Sequence, residues 1–534
     1  TGDPYLAVML RIYREYEEAC NRLGVIDFAE LLLRALELWK QHPAVLEHYQ
    51  QRFKHILVDE FQDTNAVQYA WLRLLAGKVS DVTAVGDDDQ SIYGWRGAKV
   101  ENILSYERQF ADTHTVKLEQ NYRSTSNILG AANAVISRNA ERLGKNLWTD
   151  CGEGEPIALY AAFNEHDEAR YIADRLHSWV SEGNRREDAA ILYRSNAQSR
   201  VLEAALLQAD IPYRIYGGQR FYERLEIKNA LSYLRLMLNC HDDTAFERVV
   251  NVPPRGIGDR TVEAIRELAR DEQISLWRAA EKTIAEKRLP ARATNAVALF
   301  LQLVNEMSGQ LDELQLYEQA ENAIQRSGLI EMHKREKGER GQARVENLEE
   351  LVGACRNFEA EDRDQPELPQ FLDQVALDAG DRQADQDEDA VQLMTLHSAK
   401  GLEFPLVFIA GMEENLFPHK MSLDEPGRLE EERRLAYVGI TRAMQKLYLT
   451  FAESRSIYGS ESFNSVSRFV RDIPKEVIEE VRLQSTISRP TSYAASSLSS
   501  GLASDSGSET GFALGQGVNH QVYGDGVILN FEGN

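Results

Sequence analysis

Two acidic segments of the chain carry side chains suited to nucleotide chemistry, and each follows a short apolar run. Asp59 and Glu60 come after residues 53–58, and Gln90 ends a run of acids after residues 82–85. One carboxylate can hold Mg²⁺ while its neighbour orients or deprotonates an attacking water, and a Gln can bond a terminal phosphate. An acidic cap between strand and loop is the competing interpretation, and it is favoured for an isolated Asp-Glu pair.

Aromatic and basic side chains lie directly beyond Gln90. Tyr93 and Trp95 offer flat faces on which bases can stack, and Arg96 can pair with a backbone phosphate. This combination predicts contact with single-stranded nucleic acid. A core-anchoring Trp95 with Tyr93 as its neighbour explains the pattern equally well.

Four further segments contain candidate phosphate or base contacts. Tyr122 and Arg123 could stack on adenine and reach a γ-phosphate, although a surface turn is the alternative. His397 begins a loop that could face both nucleotide and DNA, but a lone His is more often a structural hydrogen-bond partner. Arg442 lies on the Val438 side of a charged helix, apart from its solvated face. Gly256-Ile257-Gly258 can point backbone N–H groups at a phosphate, which alone is a weak signal.

Apolar runs and helical patterns alternate around these segments. The runs at 53–58 and 82–86 are predicted to be buried strands of a parallel sheet, whose C-terminal ends are where ligands bind. Similar runs recur at 189–194, 391–396, 406–410 and 447–450, with a mostly helical stretch at 221–379 between them. A helical domain inserted into an α/β domain is the simplest arrangement. Residues 488–511 are predicted to form a flexible linker, and 514–531 the first strands of a small β-domain.

Bulk properties narrow the class of protein. The formal net charge of −25 argues against a nucleic-acid partner, but only weakly, because a narrow basic groove can lie on an acidic body. No apolar run is long enough to cross a bilayer, so no membrane partner is expected. The four cysteines lie far apart and predict free thiols in a reducing cytosol: Cys20, Cys151, Cys240 and Cys355.

Five long motifs, taken in order, carry a specific resemblance. DEFQD, GDDDQSIYGWRGA, LEQNYRS, TLHSAKGLEF and EEERRLAYVGITRA resemble the superfamily 1 DNA helicases of the UvrD/Rep/PcrA group, and the match runs almost end to end. The resemblance implies an α/β fold with two RecA-like parallel-sheet motor domains, the first incomplete, and a mostly helical domain inserted in the second. ATP would bind between the motors, and single-stranded DNA would run across them.

The resemblance also implies residue roles, position by position. Asp59 and Glu60 would serve Mg²⁺ and the attacking water, and Gln90 the γ-phosphate. Tyr122 would stack on adenine, Glu403 would hold the ribose, and Arg123 and Arg442 would stabilise the transferring phosphoryl group. Tyr458 would be a strand-separating pin, and the turn at Gly256, Ile257 and Gly258 would grip duplex backbone. Single-stranded DNA would contact Tyr93, Trp95, Arg96, Arg194 and His397.

The same resemblance divides the chain into expected domains. Residues 1–53 would end a helical accessory domain, 54–119 would form part of the first motor, and 120–218 the first part of the second. Residues 219–388 would be the helical insertion and 389–485 the rest of the second motor. A flexible linker would occupy 486–512, and 513–534 would start a truncated Tudor-like domain.

One departure from the family pattern bears on activity. The family carries GxxxxGK[ST], the loop that cradles the nucleotide phosphates. Only two Gly-Lys pairs occur here, Gly77-Lys78 and Gly144-Lys145, and neither is followed by Ser or Thr. We therefore expect the opening quarter of the family pattern and the end of its C-terminal domain to be absent. We also expect an incomplete first core that exposes apolar surface, and weak ATP binding by this chain.

The function implied is an ATP-dependent 3′–5′ DNA helicase acting in excision and mismatch repair, with ATP and Mg²⁺. The expected partners are single-stranded DNA, single-/double-stranded DNA junctions and DNA-repair proteins. The protein is expected to be a monomer or a DNA-linked dimer. Its expected location is the bacterial cytoplasm, in association with the nucleoid. The first alternative is a non-catalytic fragment that binds single-stranded DNA or protein. A second, a helicase–nuclease fusion, would need an acidic nuclease cluster near the C-terminus, and the sequence offers none.

Overall fold

A computed structural model describes residues 4–77, 81–110, 112–216, 218–336, 339–360, 362, 365–380, 388–423, 425–457, 460–481, 517–520 and 524–527. The chain divides into two compact units, Thr1–Leu483 and Gln484–Asn534. The first unit begins with three helices, α1 (Pro4–Leu23), α2 (Phe28–Gln41) and α3 (Pro43–Arg52). Asp27 starts α2 by accepting a hydrogen bond from the backbone N–H of Glu30, which satisfies a donor that the helix leaves free.

A two-stranded parallel sheet follows these helices, formed by β1 (His55–Val58) and β2 (Asp81–Ala84). Helix α4 (Ala66–Ala76) connects the strands, and α5 (Glu101–Leu104) and α6 (Tyr106–Gln109) follow. The prediction that both strands are buried is wrong, because their residues alternate between exposed and half-buried. A sheet of two described strands leaves most of its surface uncovered, and Leu57 is 79% exposed. The expected apolar exposure of the first core is therefore present.

A seven-stranded parallel sheet forms the centre of the first unit. Its strand order is β11-β3-β8-β7-β4-β6-β5, and every neighbouring pair is parallel. The strands are β3 (Ile157–Ala162), β4 (Ala189–Tyr193), β5 (Tyr213–Ile215), β6 (Val391–Thr395), β7 (Phe404–Ile409), β8 (Ala443–Ala452) and β11 (Ile478–Glu480). Every residue of β4 is buried, as expected for a strand covered on both faces.

Helices cover both faces of this sheet and enclose two apolar cores. One core includes α7 (Ser126–Ile136) and α19 (Arg428–Ile440), and the other includes α8 (Glu165–Ser181) and α9 (Ser199–Gln208). Beyond β8, the strands β9 (Arg455–Ile457) and β10 (Ser460–Ser462) pair antiparallel, and α20 (Arg468–Arg471) follows. The predicted α/β class with parallel-sheet motor domains is confirmed.

A helical region lies between β5 and β6 and has its own apolar core. In the described part of 219–388 there is no strand, which agrees with the predicted mostly helical insertion. Its helices are α10 (Leu225–Leu238), α11 (Asp243–Val249), α12 (Asp259–Glu272), α13 (Leu276–Ala285), α14 (Ala291–Ser308), α15 (Leu316–Ser327), α16 (Leu329–Lys334), α17 (Glu339–Arg356) and α18 (Glu367–Gly380).

The second unit contains two described strands, β12 (Gly517–His520) and β13 (Gly524–Val527), which pair antiparallel. They agree with the predicted opening of a β-domain, whereas the predicted linker at 486–512 lies outside the described residues. All four cysteines are free, as the sequence predicts. None of the described helices combines the length and the apolar character that a membrane span requires.

Candidate nucleotide and DNA sites

The acidic end of β1 is built from Asp59 and Glu60, which leave the strand in a tight turn. Glu60 has a φ of 49°, and its backbone N–H donates to Oδ1 of Asp59 at 2.9 Å. Gln62 fixes the Glu60 side chain by donating from Nε2 to Oε2 at 2.6 Å, and its Oε1 accepts from the Asp87 N–H at 2.9 Å. Both carboxylates are exposed, so a hydrated cation can reach them. The donor set fits Mg²⁺ held largely through water.

Gln90 lies beside an acidic run that basic residues of the second motor hold in place. Its Nε2 donates to Oδ2 of Asp87 at 2.7 Å, and Lys145 forms ion pairs with Asp87 and Asp89. Arg142 makes two 2.6 Å hydrogen bonds to Asp89. Burial, the largest single influence, would raise the pKa of Asp89, but Arg142 and Lys145 together lower it. The acidic run therefore joins the two motor parts through charge-assisted hydrogen bonds.

One loop between β6 and β7, here called the coupling loop (residues 397–403), contacts the first motor through Lys400. The Lys400 ammonium is 7% exposed and lies 2.5 Å from Oδ2 of Asp63 and 3.2 Å from Oε2 of Glu60. It also donates to the backbone carbonyl of Gln90 at 2.9 Å. A single buried cation thus bridges the two acidic segments that the sequence singled out.

The other end of the coupling loop contacts both candidate phosphate-binding arginines. Nε of Arg123 donates to Glu403 at 2.5 Å, and Nη1 of Arg442 donates to the Leu402 carbonyl at 2.9 Å. Burial and then the neighbouring Arg123 lower the pKa of Arg442 to about 10. It remains charged at neutral pH. Tyr122 is 77% exposed, so its ring is accessible for stacking on a base.

Tyr93, Trp95 and Arg96 form a surface that we call the DNA platform. The Arg96 guanidinium carbon lies 4.6 Å from the centroid of the Trp95 ring and 5.1 Å from that of Tyr93. Trp95 is 42% exposed, so the alternative that it anchors the core is wrong. The Tyr93 hydroxyl donates to the His397 carbonyl at 3.4 Å, which ties the platform to the coupling loop. The Tyr93 and Trp95 rings meet edge to face, and two such rings beside a guanidinium suit single-stranded nucleic acid.

Comparison with known proteins identifies the family. The UvrD/REP helicase N-terminal domain matches residues 1–111, and the UvrD-like helicase C-terminal domain matches residues 116–454. The chain is 57% identical to DNA helicase II of Salmonella typhimurium and of Escherichia coli K12, over 100% of this chain and 74% of each relative. It is 42% identical to the ATP-dependent DNA helicase PcrA of Bacillus subtilis, over 100% of this chain and 74% of that relative.

The chain belongs to the UvrD-like helicase family. The family predicted from the five motifs is therefore confirmed. The roles that the resemblance gives to single residues are not tested by this finding, and they remain predictions.

Two residues predicted to contact DNA in this helicase chain, Arg194 and His397, make internal contacts. Arg194 forms hydrogen bonds of 2.7 to 3.1 Å with both carboxylate oxygens of Glu432, and both side chains are largely buried. Burial and the positive charge of Arg194 lower the pKa of His397 to about 3, so this imidazole is neutral at physiological pH. Their positions favour support of the coupling loop, and direct DNA contact stays a prediction.

Another predicted DNA contact, the turn at residues 256–258, lies in the helical region. Gly256 has a φ of 81°, and added Cβ atoms at Gly256 or Gly258 would meet nothing within 4 Å, so the turn is open to a phosphate backbone. Ile257 is buried and anchors the turn. Tyr458 lies outside the described residues. The strand before it is fixed by Arg455, which forms buried ion pairs with two glutamates.

Lys400 and Lys145 are two functional side chains to which the sequence alone assigns no role. Lys400 stands inside the coupling-loop motif, and its position after an apolar strand was the available signal. Lys145 belongs to a Gly-Lys pair, but its ion pairs with Asp87 and Asp89 show that it does not belong to a phosphate loop. The described residues thus fit Mg²⁺ and a γ-phosphate, but they include no cradle for the other phosphates.

Proposed function

We propose that this chain is the DNA-tracking and coupling part of an ATP-dependent DNA helicase that moves 3′ to 5′ along single-stranded DNA. The observation that carries the proposal is the coupling loop. It contacts Glu60, Gln90 and Tyr93 on one side and Arg123 and Arg442 on the other. A loop that contacts both the candidate nucleotide-binding residues and the DNA platform can transmit a conformational change from the nucleotide site to the platform.

Each group would have a distinct role in this helicase. Asp59 and Glu60 would hold Mg²⁺ and orient water, Gln90 would sense the γ-phosphate, and Arg123 and Arg442 would stabilise the transferring phosphoryl group. Arg123 is paired with Glu403, so nucleotide binding would require this exposed ion pair to open. Such exposed pairs contribute little, about 0–1 kcal/mol, and opening it is therefore cheap.

Relatives named DNA helicase II and PcrA support DNA unwinding as the activity. We further propose action in DNA excision and mismatch repair, at single-/double-stranded junctions, in the bacterial cytoplasm. A non-catalytic DNA-binding fragment is the second candidate, because no GxxxxGK[ST] occurs in the 534 residues.

The proposal is tested by comparing affinities for single-stranded DNA, blunt duplex, and duplexes with a 3′ or a 5′ tail. We expect tight binding to single strands and to the 3′-tailed duplex, and weak binding to blunt duplex. Preference for the 5′ tail would contradict the proposed direction, and equal affinity for blunt duplex would contradict a single-strand track. The helicase part and the non-catalytic fragment both predict this binding, because both include the DNA platform.

A further inference from the structure

One cavity of the molecule is lined by none of the residues of the nucleotide and DNA sites. The cavity has a volume of about 490 Å³ and opens where α9 and β5 of the sheet meet the helical region. Its wall combines a buried guanidinium with half-buried rings. Its lining includes Arg200, Glu203, Ala204, Tyr222 and Phe358.

Arg200 is the polar group with unused hydrogen-bonding capacity. Its one hydrogen bond in the described structure runs from Nε to Oε1 of Glu350 at 2.7 Å. The Arg200 side chain is 11% exposed, so the guanidinium has lost most of its contact with water. A guanidinium has five N–H donors, and leaving buried donors without acceptors is unfavourable.

The acidic group nearest to Arg200 along α9 does not compete for these donors. Glu203 accepts hydrogen bonds from the Ser199 hydroxyl at 2.5 Å and from the Phe221 N–H at 3.3 Å. The rings of Tyr222 and Phe358 are half-buried and form an apolar part of the wall. A flat apolar body against these rings, with an anionic group at Arg200, would match the wall.

We propose that this cavity binds a small organic anion, with its carboxylate or phosphate at Arg200 and its apolar body against Tyr222 and Phe358. The site is independent of ATP and DNA. Because sheet and helical-region residues both line it, an occupant stabilises their present arrangement and raises the melting temperature of the chain.

The test is isothermal titration calorimetry of the full chain with benzoate, phenyl phosphate and benzamide. Benzamide has the shape of benzoate without its charge. A charge-assisted hydrogen bond corresponds to about tenfold in affinity, so we expect benzoate or phenyl phosphate to bind about tenfold more tightly than benzamide. The stronger of the two anions distinguishes a carboxylate site from a phosphate site.

Three variants complete the test. Arg200→Gln combined with Glu350→Gln removes both buried charges together and should abolish the preference for the anion. Ala204→Trp fills the mouth of the cavity and should abolish binding, whereas Ala285→Trp, at an exposed alanine outside the cavity, should not. Equal affinity for benzoate, phenyl phosphate and benzamide, or no saturable binding by any of them, would overturn the proposal. Unchanged binding in Ala204→Trp would also overturn it.

Discussion

Replacing Trp95 with Ala tests the DNA platform directly. The Arg96 guanidinium lies over the Trp95 ring at 4.6 Å, so the ring has one face left for a base. Stacking of one base on an aromatic side chain contributes about 1–3 kcal/mol. The Trp95 ring is 42% exposed and already contacts Arg96, so we expect a stacking free energy in the lower half of this range. The expected loss of affinity for single-stranded DNA is therefore about 5- to 30-fold.

The assay is fluorescence anisotropy of a labelled oligothymidine at one fixed salt concentration, because phosphate contacts make affinity salt-dependent. Trp148→Ala is the matched control, since Trp148 is 49% exposed and lies outside the platform. Trp95→Phe should retain most of the affinity because it keeps a stacking face. If Trp95→Ala binds single-stranded DNA as tightly as the parent chain does, the platform is not the DNA track. The same conclusion follows if Trp148→Ala loses as much affinity for single-stranded DNA as Trp95→Ala.

Three further predictions concern ionisable side chains that the fold largely buries. Arg194→Met leaves the Glu432 carboxylate buried without its charged partner, so we expect the free energy of unfolding in urea to fall by about 3–5 kcal/mol. Adding Glu432→Gln removes the unpaired charge and should restore part of this free energy. The pKa of His397 in the folded chain, about 3, lies below its unfolded value, so its contribution to stability is fully present above about pH 6.5. Below that pH the contribution declines toward pH 3, by up to about 1.4 kcal/mol per pH unit. In His397→Asn, the free energy of unfolding should therefore depend less on pH between about 3 and 6.5. Lys145→Met removes the built-in cation from the acidic run, so Ca²⁺ should raise the melting temperature of this variant and not that of the parent chain.

Asp59, Gln90 and His397 could be placed near strand ends from the sequence because each comes after an apolar strand. The two acidic segments meet because β1 and β2 are parallel neighbours whose carboxyl ends share one edge. The coupling loop belongs to the other sheet, so its contact with them could not be predicted from strand ends. The burial of β1 was predicted wrongly, because an apolar run reports what a strand could bury and not what covers it. Leu57 shows the difference, since its side chain suits a core and is exposed.

Pairings between distant segments could not be predicted. Arg194 and Glu432 are 238 positions apart, and nothing in either local pattern indicates the other. Lys145 similarly meets Asp87 across the two motor parts. Charged residues were therefore assigned to DNA or to solvent, whereas the fold uses several of them to hold its parts together.

The most direct test of the account measures ATP hydrolysis and single-stranded DNA binding in the same sample, with Glu60→Gln as the control. The account predicts that the 534-residue chain binds single-stranded DNA, and that its ATP turnover does not exceed that of Glu60→Gln with or without DNA. Failure to bind DNA would contradict the platform and the coupling loop. Rapid DNA-stimulated turnover that Glu60→Gln abolishes would show that other residues of the chain hold the phosphates, and would contradict the expected weak ATP binding.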